Sequence, residues 1–293
     1  MGIISQRLKK QVTKFKTQKL VNISDFYKAK QQAEINKESI KTLNQLNDLH
    51  PVHAVYVSAQ NLVSFLAENL SELPELKEYC DIVGKAEDEY MPDGPPFSPL
   101  TRSYFTTWAF FDVQFGKDKE TIGTCLQDIG SDLAIHSDYL KLIKLMQSSR
   151  MGIYEHKGFD NEYVYLSELI TNKEYKCIVP AGYMGRKNEL WFIRLLPPPF
   201  NLAAESVVFT TPYVLISHNR SEWIKFIERS LPRTKVIEPI LEYETFMKYG
   251  LNKNYWNEFI FCGYTNSTPN VIFLAGLPDK PETLPHSGYY RGY

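Results

Sequence analysis

The sequence predicts an α+β protein: a helical N-terminal half, a small antiparallel sheet or barrel in the middle, and helices returning at the C-terminus. Three changes of pattern predict it. Apolar residues recur at helical spacing up to about residue 150, gather into short strand-like runs from 151 to 218, and resume the helical period from 219. With 43% hydrophobic and 23% charged residues, the chain of 293 has the composition of a folded protein. Its 19 Tyr and 17 Phe can fill a sizeable core. Global disorder, a collagen-like fibre and a small disulfide-stapled scaffold are excluded. The expected organisation is a basic helical arm over 1–50, one α+β domain over 51–277, and a Pro- and Tyr-rich tail over 278–293. Within the domain, 51–150 is helical, 151–218 β-rich and 219–277 helical.

The arm comes first. It holds ten basic and four acidic side chains, a net +6 that leaves the remainder of the chain at −7. Such asymmetry points to an anionic partner, or to the body of the protein itself as that partner. Ile4, Leu8, Val12 and Phe15 recur as a helical stripe, with Lys9, Lys10, Lys14, Lys16 and Lys19 between and after them. These five lysines are candidate partner-binding residues. Lysine suits loose contact with phosphate better than bidentate reading of bases. A second helix is expected from Ser24 to Asp48, where Phe26, Ala29, Ala33, Ile40 and Leu43 lie at a/d spacing. That seam would serve a homo-oligomer through residues 24–48.

The helical part of the domain opens at Pro51. The stretch His53–Leu70 reads as a helix with Val55, Leu62, Phe65 and Leu66 inward. An acidic stretch follows, in which Glu87, Asp88 and Asp93 lie close to Pro92, Pro95, Pro96 and Pro99. Prolines forbid a regular helix there, and clustered carboxylates are the oxygen ligands that Mg²⁺ or Mn²⁺ would take. These three acids are the candidate metal ligands. Ser98-Pro99 reads as a helix start, with Tyr104, Phe105, Trp108, Phe110 and Phe111 making that helix apolar almost all round. Helices over Thr121–Leu133 and Ser137–Ser149 complete this part.

The period then changes. An extended segment begins at Arg150, and strands are expected over 163–170, 175–179, 190–196 and 207–216. Residues 190–196 are largely apolar on both alternating faces, which places this strand inside. Pro212 interrupts the last run and makes it an edge or kinked strand. Two features here carry chemistry. Pro180–Lys187 is a glycine turn ending in Arg186 and Lys187, whose cations would meet an anion. Glu155 and His156 are the candidate acid–base pair, although neighbours on a strand face opposite ways. Helices resume with Ser221 as the expected cap, at Pro239 and at Asn254, and Val271–Ala275 reads as a returning strand.

Four cysteines at 80, 125, 177 and 262 form no Cys-x-x-Cys pair, so free thiols in a reducing cytoplasm are expected. Residues 1–20 interleave lysines with apolar residues, unlike a secretory signal, and no apolar run is long enough to span a membrane. Walker A, Gly-x-Ser-x-Gly, His-Glu-x-x-His and the kinase motifs are absent. Two function classes remain. The first is a cytoplasmic interaction or binding protein contacting an anionic partner through the basic arm, either a protein or an anionic surface such as nucleic acid or a membrane. The second is a metal-dependent hydrolase or nuclease with dispersed carboxylate ligands.

Overall fold

A computed structural model describes residues 1–17, 50–91, 100–200, 203–231, 238–249, 264–275 and 278. The protein is α+β, with eight α-helices and eight strands among the described residues. It divides into two compact units, each drawn from two stretches of chain: Met1–Ile82 with Ala109–Gln147, and Val83–Trp108 with Ser148–Tyr293. The expected helices at 24–48 and after Asn254, and most of the tail, lie outside the described residues.

The first unit is helical. It contains α1 (Ile3–Thr17), α2 (Pro51–Leu70), a 3₁₀ turn (Pro74–Leu76), the start of α3 (Lys77–Tyr90), the end of α4 (Arg102–Phe111), α5 (Ile122–Ile129) and α6 (Ser137–Ser148). His50 caps α2 by accepting the Val52 N–H at 3.3 Å, and Pro51 takes the first helical position. The buried face of α2 is Val52, Tyr56, Ala59, Val63 and Ala67. Val55, Leu62, Phe65 and Leu66, expected inward, are only half-buried. The helix is apolar on most sides, so size alone does not choose the core face. The buried face instead includes the small Ala59 and Ala67.

Thr121 caps α5 in a reciprocal box with Thr124. The regular α-helix ends at Ile129, and the helical turn after it closes at the expected Leu133 in a Schellman cap. Ile135 N–H reaches Gly130 O at 2.9 Å and Ala134 N–H reaches Ser131 O at 3.2 Å. Ala134 holds the left-handed position, with φ at 57°, where glycine is the usual occupant.

The second unit is built on a sheet. Its strands are β1 (Met151–Asp160), β2 (Tyr163–Glu168), β3 (Glu174–Ile178), β4 (Leu190–Leu196), β5 (Ser206–Val208), β6 (Tyr213–Leu215), β7 (Tyr264–Thr268) and β8 (Val271–Leu274). Neighbours follow the order β1-β2-β3-β5-β4-β6-β8-β7, and β1 also pairs with β4, closing a five-stranded barrel. The β3–β5 contact is parallel; the other contacts within the ring are antiparallel. Tyr154, Val164, Leu166, Cys177, Trp191 and Ile193 belong to one buried cluster within this sheet. On the other face of β4, Phe192 meets Tyr104 of α4 and Tyr213 of β6, with ring centroids 6.3 and 6.5 Å apart.

The run 207–216 is two strands, not one. Pro212 has no N–H to give, and the chain leaves β5 and re-enters as β6, which pairs with β4 and β8. Helices α7 (Arg220–Ser230) and α8 (Pro239–Tyr249) follow. Asn219 caps α7, not the expected Ser221, through a reciprocal box with Glu222. Strand β7 was not expected from its sequence, Tyr-Thr-Asn-Ser-Thr, which is short and mostly polar.

The turn after α5 yields a direct test. A side chain at positive φ is strained, whereas glycine is not. Ala134→Gly is expected to stabilise the protein by roughly 0.5–1 kcal/mol, measured as a higher denaturant midpoint at unchanged slope.

Candidate functional site

In the first unit, α1 is held by carboxylates from another part of the chain. Ile4, Leu8 and Val12 are buried. The free N–H groups of the first turn then need acceptors. Glu120 supplies them: Ile4 N–H donates at 2.8 Å, Ser5 N–H at 2.9 Å and the Ser5 hydroxyl at 2.5 Å. Ile3 N–H donates to Asp118 at 2.7 Å. A negative charge here also meets the positive end of the helix dipole. Gly2 is required by this approach, since a Cβ there would lie within 2.3–2.7 Å of the Glu120 carboxyl group.

Anchoring the apolar stripe inward turns the cations outward. Arg7, Lys10 and Lys14 are exposed at i, i+3 and i+7, one face of the helix. Lys9 is drawn to Asp132 at 3.1 Å. The Lys16 side chain and Lys19 lie outside the described residues.

In the second unit, the connection from β3 to β4 carries Arg186 and Lys187. His156 is fully buried beside it. Its Nδ1 accepts the Gly158 N–H at 3.1 Å, so the proton sits on Nε2, which donates to Met184 O at 2.8 Å. Burial lowers the pKa of this imidazole, which favours the neutral form those bonds need. Glu189 accepts from the Tyr183 hydroxyl at 3.1 Å and from the Trp191 indole N–H at 3.0 Å. Gly185, at φ +65°, lies so close to Trp191 that a Cβ would fall 2.3 Å from the ring. The loop is therefore pinned at its base, and Arg186 and Lys187 are exposed on it.

Glu155 and His156 do not share partners. Glu155 accepts from Lys157 at 2.8 Å and from Arg220 at 3.2 Å, while both His156 nitrogens bond to backbone. Of the candidate metal ligands, Glu87 is exposed at the end of α3 and pairs with Arg102 at 3.3 Å. Asp88 is exposed, and Asp93 lies outside the described residues. Among the described residues, no group of three or more His, Cys, Asp or Glu side chains could hold a metal ion.

One polar cluster escaped the sequence reading. Glu168, at the end of β2, is fully buried. Arg150 grips it with two bonds of 2.5 and 3.1 Å, Thr171 donates at 2.6 Å and Tyr243 of α8 at 3.2 Å. Arg150 also meets Glu244 at 3.2 Å and lies 5.1 Å from the Tyr243 ring centroid. Burial first, then the Glu168 charge, holds the Tyr154 and Tyr243 hydroxyls well above the usual tyrosine range. The available signal was an acid inside the apolar run Val164–Ile170; its partners are too far along the chain to be matched by spacing. The cluster ties β1, β2 and α8 together.

No family model, curated protein or solved structure matches this chain.

Two measurements follow from these polar anchors. Glu168→Leu leaves Arg150 charged and largely buried, so a loss of about 3–5 kcal/mol is expected in equilibrium unfolding. Pairing it with Arg150→Met is expected to recover much of that loss. For His156, the folded pKa lies below the unfolded one, so the unfolded chain takes up the proton first. Stability is then complete above the ordinary histidine value of about 6.5 and is lost as pH falls below it. His53, also lowered by burial, acts in the same sense. His156→Gln, which keeps a donor for Met184 O, is expected to flatten the acid side of a Tm-against-pH curve without levelling it.

Proposed function

We propose that this is a cytoplasmic interaction protein whose partner is a nucleic acid, contacted through the sugar–phosphate backbone. The observation that carries this reading is the outward stripe of Arg7, Lys10 and Lys14 on a helix whose apolar side is already buried. Their span of seven residues is about 10 Å along the helix axis. A helix anchored at its N-terminus presents these charges without first having to fold, which lowers the ordering cost of binding. Lysine-rich contact of this kind positions a backbone and reads no sequence. Arg186 and Lys187, on their pinned loop, supply a second exposed pair of cations. The described cysteines, Cys80, Cys125 and Cys177, are free thiols, as a reducing compartment favours. No helix among the described residues is long and apolar enough to cross a membrane.

The test is salt-dependent binding of a labelled single-stranded oligonucleotide, followed by fluorescence anisotropy. Three phosphate contacts contribute about 2 to the slope of log K against log salt on a single strand. The variant Arg7→Gln, Lys10→Gln, Lys14→Gln is expected to lose that much slope, with unchanged thermal stability. Wild-type protein that fails to bind, or a variant with the wild-type slope, would refute the reading.

A further inference from the structure

The first unit contains a cavity of about 540 Å³, within the range of roughly 300–1,000 Å³ typical of small-molecule sites. Its apolar lining comes from three places in the chain: Val12 on the inner face of α1, Leu70 and Leu73 at the end of α2, and Leu133 in the turn after α5. Its charged lining is of one sign, Glu72 and Asp132.

The backbone around it has the same polarity. Asn69 and Leu70 at the end of α2 border the cavity, and a helix C-terminus carries partial negative charge on its last carbonyls. Ser71 N–H and hydroxyl both turn back to Glu68 O, and Leu73 N–H returns to Leu70 O. These bonds fix the α2 end in place. The chain itself places an ammonium on this rim: Lys9 Nζ stands 3.1 Å from Asp132. Glu72 is exposed at the same cavity.

From the apolar walls, the two carboxylates and the α2 end, we infer that this cavity is a binding site for a small organic ammonium, a protonated amine with an aliphatic or aromatic body. The body takes the place of water against Val12, Leu70, Leu73 and Leu133. The ammonium lies towards Glu72 and the α2 end, where it gains charge-assisted contacts. An anion of the same shape would meet the Glu72 carboxylate and the negative end of α2. This site is independent of the nucleic-acid reading, since Val12 faces inward on α1 and the Arg7–Lys10–Lys14 stripe faces outward.

The experiment is isothermal titration calorimetry of the full chain with hexylammonium chloride, sodium hexanoate and hexanol. Saturable one-to-one binding of hexylammonium is expected, with no saturable heat from hexanoate or hexanol. Asn69 lines the cavity from an exposed position on the last turn of α2, so Asn69→Trp should block it and abolish binding. Glu72→Gln, a surface change that keeps size, should weaken binding about tenfold, the worth of one charge-assisted contact. It decides the matter if the tryptophan variant does not fold. The outward-stripe variant of α1 should bind hexylammonium as the wild type does. Absence of saturable hexylammonium binding, equal binding of hexanoate or hexanol, or wild-type affinity in Glu72→Gln would each overturn the assignment.

Discussion

All seven residues of β4 are buried, so its backbone N–H and C=O groups have to find partners inside the protein. The second unit is arranged around that requirement. On one edge β4 pairs with β1 from Leu190 to Arg194. On the other it pairs first with β6 and then with β5. A strand used on both edges draws the meander β1-β2-β3 round until β3 meets β5, which closes the ring. The side chains obey the same constraint. Trp191, Ile193 and Leu195 join the main apolar cluster, while Phe192 packs on Tyr104 and Tyr213. Arg194, the polar exception, is buried with its guanidinium on the Ser149 carbonyl and hydroxyl.

Each unit then relies on a buried carboxylate to hold pieces that are distant in sequence. Glu120 receives the first turn of α1 from more than a hundred residues away. Glu168 receives Arg150, Thr171 and Tyr243. The two solutions differ. Glu120 is satisfied by neutral donors at the positive end of a helix, while Glu168 is satisfied by a fixed cation and two hydroxyls. In both cases the cost of desolvating the charge makes the contact conditional on the whole set of donors being present.

The exposed cationic surfaces follow from these anchors. Burying Ile4, Leu8 and Val12 against its own unit settles which side of α1 shows its cations. In the same way, the bonds from His156, Glu189 and Trp191 fix the base of the loop that carries Arg186 and Lys187. Cations on prearranged supports lose little freedom on binding, which is where a lysine-rich contact otherwise pays most of its cost.

By itself the sequence determined the α+β class, the change of period near residue 150, the buried character of β4 and the break at Pro212. Each of these is local: a repeat of 3.6 or 2, a run apolar on both faces, or a missing N–H. It also marked α1 as amphipathic and basic, and it marked the β3–β4 turn as a tight turn carrying two cations. What it did not contain was pairing. The inward face of α2 includes Ala59 and Ala67 and not the larger Leu62 and Phe65, because a helix apolar on most sides takes its core face from what stands opposite. The chain closes into a barrel only because β1 and β5 both find β4. Glu168 gains its role from Arg150 and Tyr243, and Glu120 from the start of α1. Those partners lie at separations that follow no period, so only the tertiary structure, by bringing buried charges to their donors, decided them.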